Sequence, residues 1–303
     1  MAPSGMWSNA ILLSAIIGLS SCESLSGLSS ITGFSQNFVV AANALAKAES
    51  DYFDEIQAAS DAGYQLQAAE VYVRGKVAFK TFANELSKHD DFSKAKELRM
   101  SAMAQLQNYA QEIAAIANGA SATWISDDAK SATANVSTLI KDTGDNTNSL
   151  FTSHAGLIQT AVTDLGQAII KSESAKKLQT LAQEAKKPIA KIADMVKQDN
   201  ANMETDKFTN SLKADQTQAL HDILHFIYAD PKVNSFERFY AIRMTANWKI
   251  SLVTKGQAIQ RALGKLQAAN NALAKKENTS LGALSQQAYT FAEQALNTPT
   301  PTK

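Results

Sequence analysis

Apolar and small residues recur at steps of three and four residues along almost the whole chain after residue 35. In the first such stretch the positions run 38, 41, 45, 48, 52, 56, 59, 63, 66, 69 and 73. These steps place the residues on one face of an α-helix, and no two-residue alternation indicates a strand. The chain has only 5 prolines and 13 glycines in 303 residues, so few positions interrupt helices. The pattern predicts a first helix from about residue 35 to residue 87.

The same periodicity predicts six further helices, separated by turn signals. Asp90 or Asp91 is placed to cap the second helix, and Asn118-Gly119 is placed to end it. A shorter helix follows residue 126, and "DTGDNTNS" after it reads as a loop over residues 142–149. Pro188 lies inside the fourth helix and is expected to kink or split it. The last four helices are predicted at about 151–196, 206–229, 235–273 and 280–296.

Long helices joined by short turns have to bury their apolar stripes against one another. The many alanines allow such helices to approach closely. We therefore predict an all-α fold, an elongated antiparallel bundle of long helices with coiled-coil-like packing, over residues 35–296. Residues 297–303, "NTPTPTK", are predicted to be disordered. The carboxylates of Asp51, Asp54 and Glu55 are expected on a solvated helix face.

The amino terminus has a different pattern, which ends at the only cysteine. Residues 10–19, "AILLSAIIGL", are apolar and would rise about 15 Å as a helix, half of a bilayer core. This length is too short to span a membrane and is typical of a signal peptide. The residues that follow are Leu19-Ser20-Ser21-Cys22. They resemble the bacterial lipoprotein signal, in which an aliphatic residue and two small residues precede the acylated cysteine.

The resemblance implies that residues 1–21 are removed and that acyl chains on Cys22 anchor the protein in the lipid bilayer. The residue after the cysteine is not Asp, which implies the outer membrane, with the protein facing the periplasm or the cell surface. The stretch before residue 10 carries no Lys or Arg, and either Met1 or Met6 is the start. Residues 22–34 are rich in Ser and Gly and are predicted to form a flexible tether behind the acylated cysteine.

Two histidines form the best metal-binding pattern in the chain. His221 and His225 in "HDILH" are four residues apart, so both can lie on one face of a helix and bind a metal ion. The Glu of the HExxH motif is missing, and no third ligand is evident. The alternative is that both are ordinary surface or core histidines, and we predict no cofactor.

An aromatic segment surrounds the Asp230-Pro231 turn at residues 226–248. Aromatic residues together with Arg are enriched at protein interfaces and suit a membrane boundary. The alternative is that they fill one end of the bundle as ordinary core. The residues proposed for contact with a partner or with lipid are Phe226, Tyr228, Phe236, Arg238, Phe239, Tyr240 and Trp248.

The balance of charges limits the possible functions. Lys and Arg number 29, as do Asp and Glu, so the neutral chain offers no general attraction for nucleic acid. No GxSxG motif or Gly-rich phosphate loop is present. We expect a non-enzymatic, membrane-anchored envelope lipoprotein with a binding or structural role and an unidentified envelope protein as partner. The alternatives are a membrane-perturbing, toxin-like helical bundle and a metal-dependent enzyme that uses His221 and His225.

Overall fold

The computed structural model describes residues 25–73, 92–119, 123–142, 155–175, 178–205, 235–277 and 280–299. Within these ranges the regular elements are long α-helices and no strand is present. The all-α prediction is therefore confirmed. The helices are α1 (Leu25–Val73), α2 (Ser93–Ala117), α3 (Thr123–Asp142), α4 (Ala155–Ala175), α5 (Leu178–Thr205), α6 (Ser235–Lys275) and α7 (Leu281–Leu296).

Four of these helices, α1, α2, α5 and α6, form a central four-helix core. In this core α1 packs on α2 and α6, and α5 packs on α6 and more briefly on α2. Helix α7 packs on both α1 and α6, α4 packs on α2 and α5, and α3 covers α2 and α4. The 49 residues of α1 extend about 70 Å, so the bundle is elongated, as predicted.

Contacts between side chains show that neighbouring helices in the core are antiparallel. Gln107 of α2 donates to Asn43 of α1 at 3.0 Å, and Lys96 contacts Asp54 at 2.6 Å. The residue numbers thus rise along α1 while they fall along α2. The same relation holds between α5 and α6, where Asn200 bonds to Gly256 and residue 182 bonds to residue 270. The antiparallel bundle is confirmed.

The buried face of α1 follows the predicted three- and four-residue steps. Small alanines alternate with large apolar residues on this face, so neighbouring helices come close without leaving gaps. Its buried members include Phe38, Ala41, Leu45, Ala48, Tyr52, Ile56 and Ala59.

The start of α1 differs from the prediction of a flexible tether over residues 22–34. The helix begins at Leu25 and is continuous through the Ser- and Gly-rich stretch. Phe34 is buried and packs edge-on against Phe38 at 5.4 Å, and the Ser35 hydroxyl donates to the Thr32 carbonyl at 2.8 Å. Aromatic packing therefore outweighs the low helix propensity of Ser and Gly in this stretch.

The ends of α2 confirm one sequence prediction and leave the other untested. The helix ends at Asn118-Gly119 as predicted, with Gly119 at a φ of 67° and its N–H bonded to the Ile116 carbonyl at 3.1 Å. At the other end the residue before the helix is Phe92, whose N–H donates to Oε1 of Gln57 at 3.1 Å. Asp90 and Asp91, the predicted caps, lie outside the described residues.

The fourth predicted helix is in fact two helices, and Pro188 does not separate them. Helix α4 ends at Ala175, α5 begins at Leu178, and Pro188 lies inside α5. A proline in a helix interior costs about 3 kcal/mol because it removes a backbone hydrogen bond. The neighbouring Ala185 and Ile189 are fully buried, so core packing on both sides of the proline holds the helix together.

The beginning of the carboxyl-terminal tail is ordered, in contrast to the prediction for residues 297–303. The Ser251 hydroxyl of α6 donates to the Pro299 carbonyl at 2.9 Å, which holds residues 297–299 on the bundle. The predicted starts of α6 at Ser235 and of the closing helix near residue 280 are confirmed. The predicted loop over 142–149 begins with Asp142, which is the last residue of α3. Residues 143–149, the predicted helix over 206–229 and residues 300–303 lie outside the described residues.

Candidate functional site

Six charged side chains of the described residues are buried in the four-helix core. One of them, Glu112, lies 13 residues beyond Arg99 along α2. We call the other five the buried charge cluster. Helix α1 contributes Glu49 and Glu55, and α2, α5 and α6 contribute Arg99, Asp199 and Lys255. None of the five is more than 3% exposed. Charged residues are almost never fully buried unless they are paired, so this cluster is the chemically most distinctive feature of the described residues.

The strongest contact in the cluster joins α2 to α5. Arg99 donates from Nε to Oδ2 of Asp199 at 2.9 Å and from its NH2 group to Oδ1 at 2.7 Å. The two parallel hydrogen bonds match the planar guanidinium to the carboxylate. The guanidinium also lies 5.8 Å from the centre of the Phe53 ring of α1. A single arginine thus contacts two neighbouring helices.

A second ion pair joins α6 to α1. Lys255 donates from Nζ to Oε2 of Glu55 at 2.5 Å, and both side chains are almost fully buried. The other carboxylate oxygen of Glu55, Oε1, has no hydrogen-bond partner among the described residues. Glu55 was predicted on a solvated face, and that prediction is wrong. Asp54 is 63% exposed and fits the prediction.

Glu49 is the fifth member and forms no ion pair with any residue that the structure describes. Its Oε2 atom has no hydrogen-bond partner within the described ranges. Burial raises the pKa of Glu49 from 4.5 to about 8, the negative charge of Asp199 raises the pKa further, and Arg99 lowers it. At neutral pH Glu49 is therefore mostly protonated. The cluster then holds two cations and two carboxylates and has no net charge.

A neutral contact beside the cluster brings α5 close to α6. Asn200 donates from Nδ2 to the Gly256 carbonyl at 2.7 Å, and the Tyr52 hydroxyl of α1 approaches Oδ1 of Asn200 at 3.5 Å. A Cβ atom on Gly256 would lie 2.4 Å from Oδ1 of Asn200. Helices α5 and α6 can therefore come this close at Asn200 only because Gly256 has no side chain.

Gly256→Ala is expected to lower the free energy of unfolding by about 1–3 kcal/mol, because the new methyl group displaces the buried Asn200 amide. Gly264→Ala on the same helix is the control. A Cβ there meets nothing within 4 Å, so this change is expected to raise the free energy of unfolding by about 0.5–1 kcal/mol. Urea unfolding of both variants measures the difference. An equal gain in stability from both substitutions would contradict the close approach at Gly256.

Two further polar contacts cross the bundle at other levels. Gln105 of α2 donates from Nε2 to the Ala129 carbonyl of α3 at 2.9 Å and to the Val162 carbonyl of α4 at 3.3 Å. The Tyr109 hydroxyl of α2 donates to Oδ1 of Asn270 on α6, and burial raises the pKa of Tyr109. These buried bonds can form in only one register of the helices, so they fix how the helices align.

An open groove of about 500 Å³ lies between α2 and α3. Met100 and Ala104 of α2 and Ala132 and Leu139 of α3 provide its apolar lining. Because its walls are mainly apolar, the groove is a surface that an apolar side chain or an acyl chain could fill.

The side chains predicted from sequence as functional are not among those that the structure describes. Cys22, the signal peptide and both histidines lie outside the described residues, as do Phe226 and Tyr228. The other five members of the aromatic segment lie on the first part of α6, which begins at Ser235; they are Phe236, Arg238, Phe239, Tyr240 and Trp248. The predictions for all of these residues stay predictions.

The described residues give little indication of metal or membrane chemistry. No three of their His, Cys, Asp or Glu side chains are grouped so that they could hold a metal ion. None of the described helices is long and apolar enough to cross a membrane. Comparisons with protein families, with curated proteins and with solved structures give no match for this chain.

Proposed function

We propose that the protein is a lipid-anchored component of the bacterial envelope and that its helical bundle has a non-enzymatic binding or structural role. The observation that carries this proposal is the pattern Leu19-Ser20-Ser21-Cys22 directly behind an apolar run too short to span a bilayer. Because Glu23 and not Asp follows the cysteine, we place the protein in the outer membrane, with the bundle facing the periplasm or the cell surface.

The position of α1 supports a close attachment to the lipid. The helix begins at Leu25, three residues after Cys22, so the connection can span at most about 10 Å. The first ten residues of α1 belong to the stretch that was expected to be a flexible tether of about 40 Å. An acylated Cys22 would therefore hold the bundle near the membrane through its longest helix.

The buried charge cluster supports a structural role for the charged residues of the core. Its members are at most 3% exposed, and Arg99, Asp199, Lys255 and Glu55 form ion pairs with one another. Because these groups are closed to solvent and four of them are paired, they support a role in holding the helices together. We propose that the aromatic segment of residues 226–248, together with Arg238 and Arg243, contacts an envelope partner or lipid.

Cys22→Ser is expected to move the protein from the membrane fraction of lysed cells to the soluble fraction. Each buried methylene of an acyl chain contributes about 0.8 kcal/mol to membrane binding, so loss of two or three chains removes most of the affinity. Incorporation of labelled palmitate into the wild-type protein, and its loss in Cys22→Ser, gives an independent readout. Ser21→Ala is the control, because it keeps a small residue before the cysteine and is expected to leave the protein in the membrane fraction.

Two outcomes would contradict the proposal of a lipid anchor. One is a Cys22→Ser protein that sediments with membranes as the wild type does, and the other is a wild-type protein that incorporates no palmitate. Crosslinking in intact envelopes followed by mass spectrometry tests the partner. Crosslinks from residues 226–248 to one envelope protein are expected, and crosslinks only from other parts of the bundle would contradict the role of that segment.

A further inference from the structure

The charges of the buried cluster do not balance when every group is ionised. Arg99 pairs with Asp199 at 2.7 Å and Lys255 pairs with Glu55 at 2.5 Å, which uses both cations. Glu49 is the remaining carboxylate, and it is 2% exposed with an Oε2 atom that no described residue binds. Ionised, Glu49 would give the buried charge cluster one uncompensated negative charge.

Two charged groups from other helices act on the Glu49 carboxyl, Asp199 of α5 and Arg99 of α2. Glu55 lies on the same helix as Glu49 and pairs with Lys255 of α6. The remaining helix packed on α1 is α7, whose Tyr289 and Glu293 interact with each other: the charge of Glu293 raises the pKa of Tyr289. Both buried cations of the described residues, Arg99 and Lys255, are thus already paired with a carboxylate other than Glu49.

We propose that Glu49 is a buried proton-binding site and that release of its proton loosens α1 from α2. The ligand is the proton itself, which neutralises the fifth charge of the cluster when the four-helix core is closed. This inference rests on the geometry of the core and does not depend on the lipid anchor. If the anchor is present, the helix that responds to the proton is the one that leads to the membrane.

The direction of the pH effect follows from the pKa of Glu49 in the two states. This pKa is about 8 in the folded chain and 4.5 for a free glutamate side chain, so between these pH values the folded state binds more protons than the unfolded state. The stabilisation from the bound proton is complete below pH 4.5 and is lost as the pH rises through 8. One proton released on unfolding raises the unfolding equilibrium constant about tenfold for each pH unit.

The test measures urea unfolding of the purified full-length chain between about pH 5 and pH 9 for three proteins. In the wild type the unfolding constant is expected to rise about tenfold per pH unit up to about pH 8, relative to Glu49→Gln. Glu49→Gln keeps the shape of the side chain without a titrating group. Glu97→Gln, the same change at an exposed position of α2, is the control and is expected to follow the wild type. Parallel pH curves for the wild type and Glu49→Gln would overturn the proposal.

Hydrogen exchange of the wild type tests the location of the effect and does not require a variant to fold. Peptides that cover residues 45–60 are expected to lose protection about a hundredfold between pH 6 and pH 8, after correction for the intrinsic exchange rate. Unchanged protection of these peptides over the same range would overturn the proposal. Neither measurement involves a membrane, so their failure is distinct from failure of the lipid-anchor proposal.

Discussion

Asp199→Ala is expected to lower the free energy of unfolding by about 3–5 kcal/mol, because it leaves the Arg99 guanidinium buried without its carboxylate. Arg99 is fully buried and donates two hydrogen bonds to the Asp199 carboxylate. Glu49 is expected to reduce this loss of stability. Asp199 raises the pKa of Glu49 and Arg99 lowers it, so without Asp199 the Glu49 carboxyl ionises more easily and can pair with Arg99. The cost is therefore expected near the lower bound in the wild-type background and near the upper bound when Glu49 is Gln. Urea unfolding at pH 7 measures both values.

Two further variants separate burial from the mere loss of a charge. Asp54→Ala removes an exposed partner of Lys96 and is expected to cost less than about 1 kcal/mol, because solvent screens that pair. The double variant Arg99→Met with Asp199→Leu removes both charges and is expected to recover most of the stability lost in Asp199→Ala. Equal costs for Asp199→Ala and Asp54→Ala would contradict the burial of the first pair.

Phe38→Ala is expected to lower the free energy of unfolding by about 3–5 kcal/mol, because it opens a cavity beneath the start of α1. Phe38 is fully buried and packs edge-on against Phe34 at 5.4 Å and against Tyr109 of α2 at 5.9 Å. The loss is expected to be largest near the amino terminus of α1, so hydrogen exchange of residues 31–45 should accelerate more than that of α5. Thermal unfolding gives the total loss of stability.

Phe38→Leu is the matched control for this cavity. Leucine fills more of the space than alanine does, so the expected cost is less than half of that for Phe38→Ala. A cost for Phe38→Ala below about 1 kcal/mol would contradict the aromatic packing that holds residues 31–38 in the helix.

The helical faces of the fold could be predicted from the sequence, because burial follows the local period of three and four residues. The steps from residue 38 to residue 59 identified the core face of α1, and Asn118-Gly119 identified the end of α2. Pro188 and the Ser- and Gly-rich start of α1 were judged by propensity alone. In both places packing against other helices keeps the chain helical, and such long-range contacts cannot be read from a short stretch of sequence.

The candidate site could not be predicted because its partners are far apart in the chain. Arg99 and Asp199 are separated by 100 residues, and Glu55 and Lys255 by 200. In sequence Glu55 looks like any other carboxylate on the polar side of a helix, beside the exposed Asp54. The only local indication of burial is that Glu49 follows the buried Ala48 and Glu55 precedes the buried Ile56. Many exposed polar residues of a helix also adjoin a buried apolar residue, so this indication does not identify the site.

The packing of α1 against α7 has a consequence for the order in which the chain can acquire its structure. A ribosome makes residues 25–73 before residues 281–296, and these two helices share one of the most extensive interfaces in the bundle. Helix α2 can cover part of α1 early in synthesis, but the part of the apolar face that packs on α7 stays exposed until residues 281–296 have been made. Exposed apolar surfaces promote aggregation, so this protein is expected to need a holding chaperone until α7 has been made.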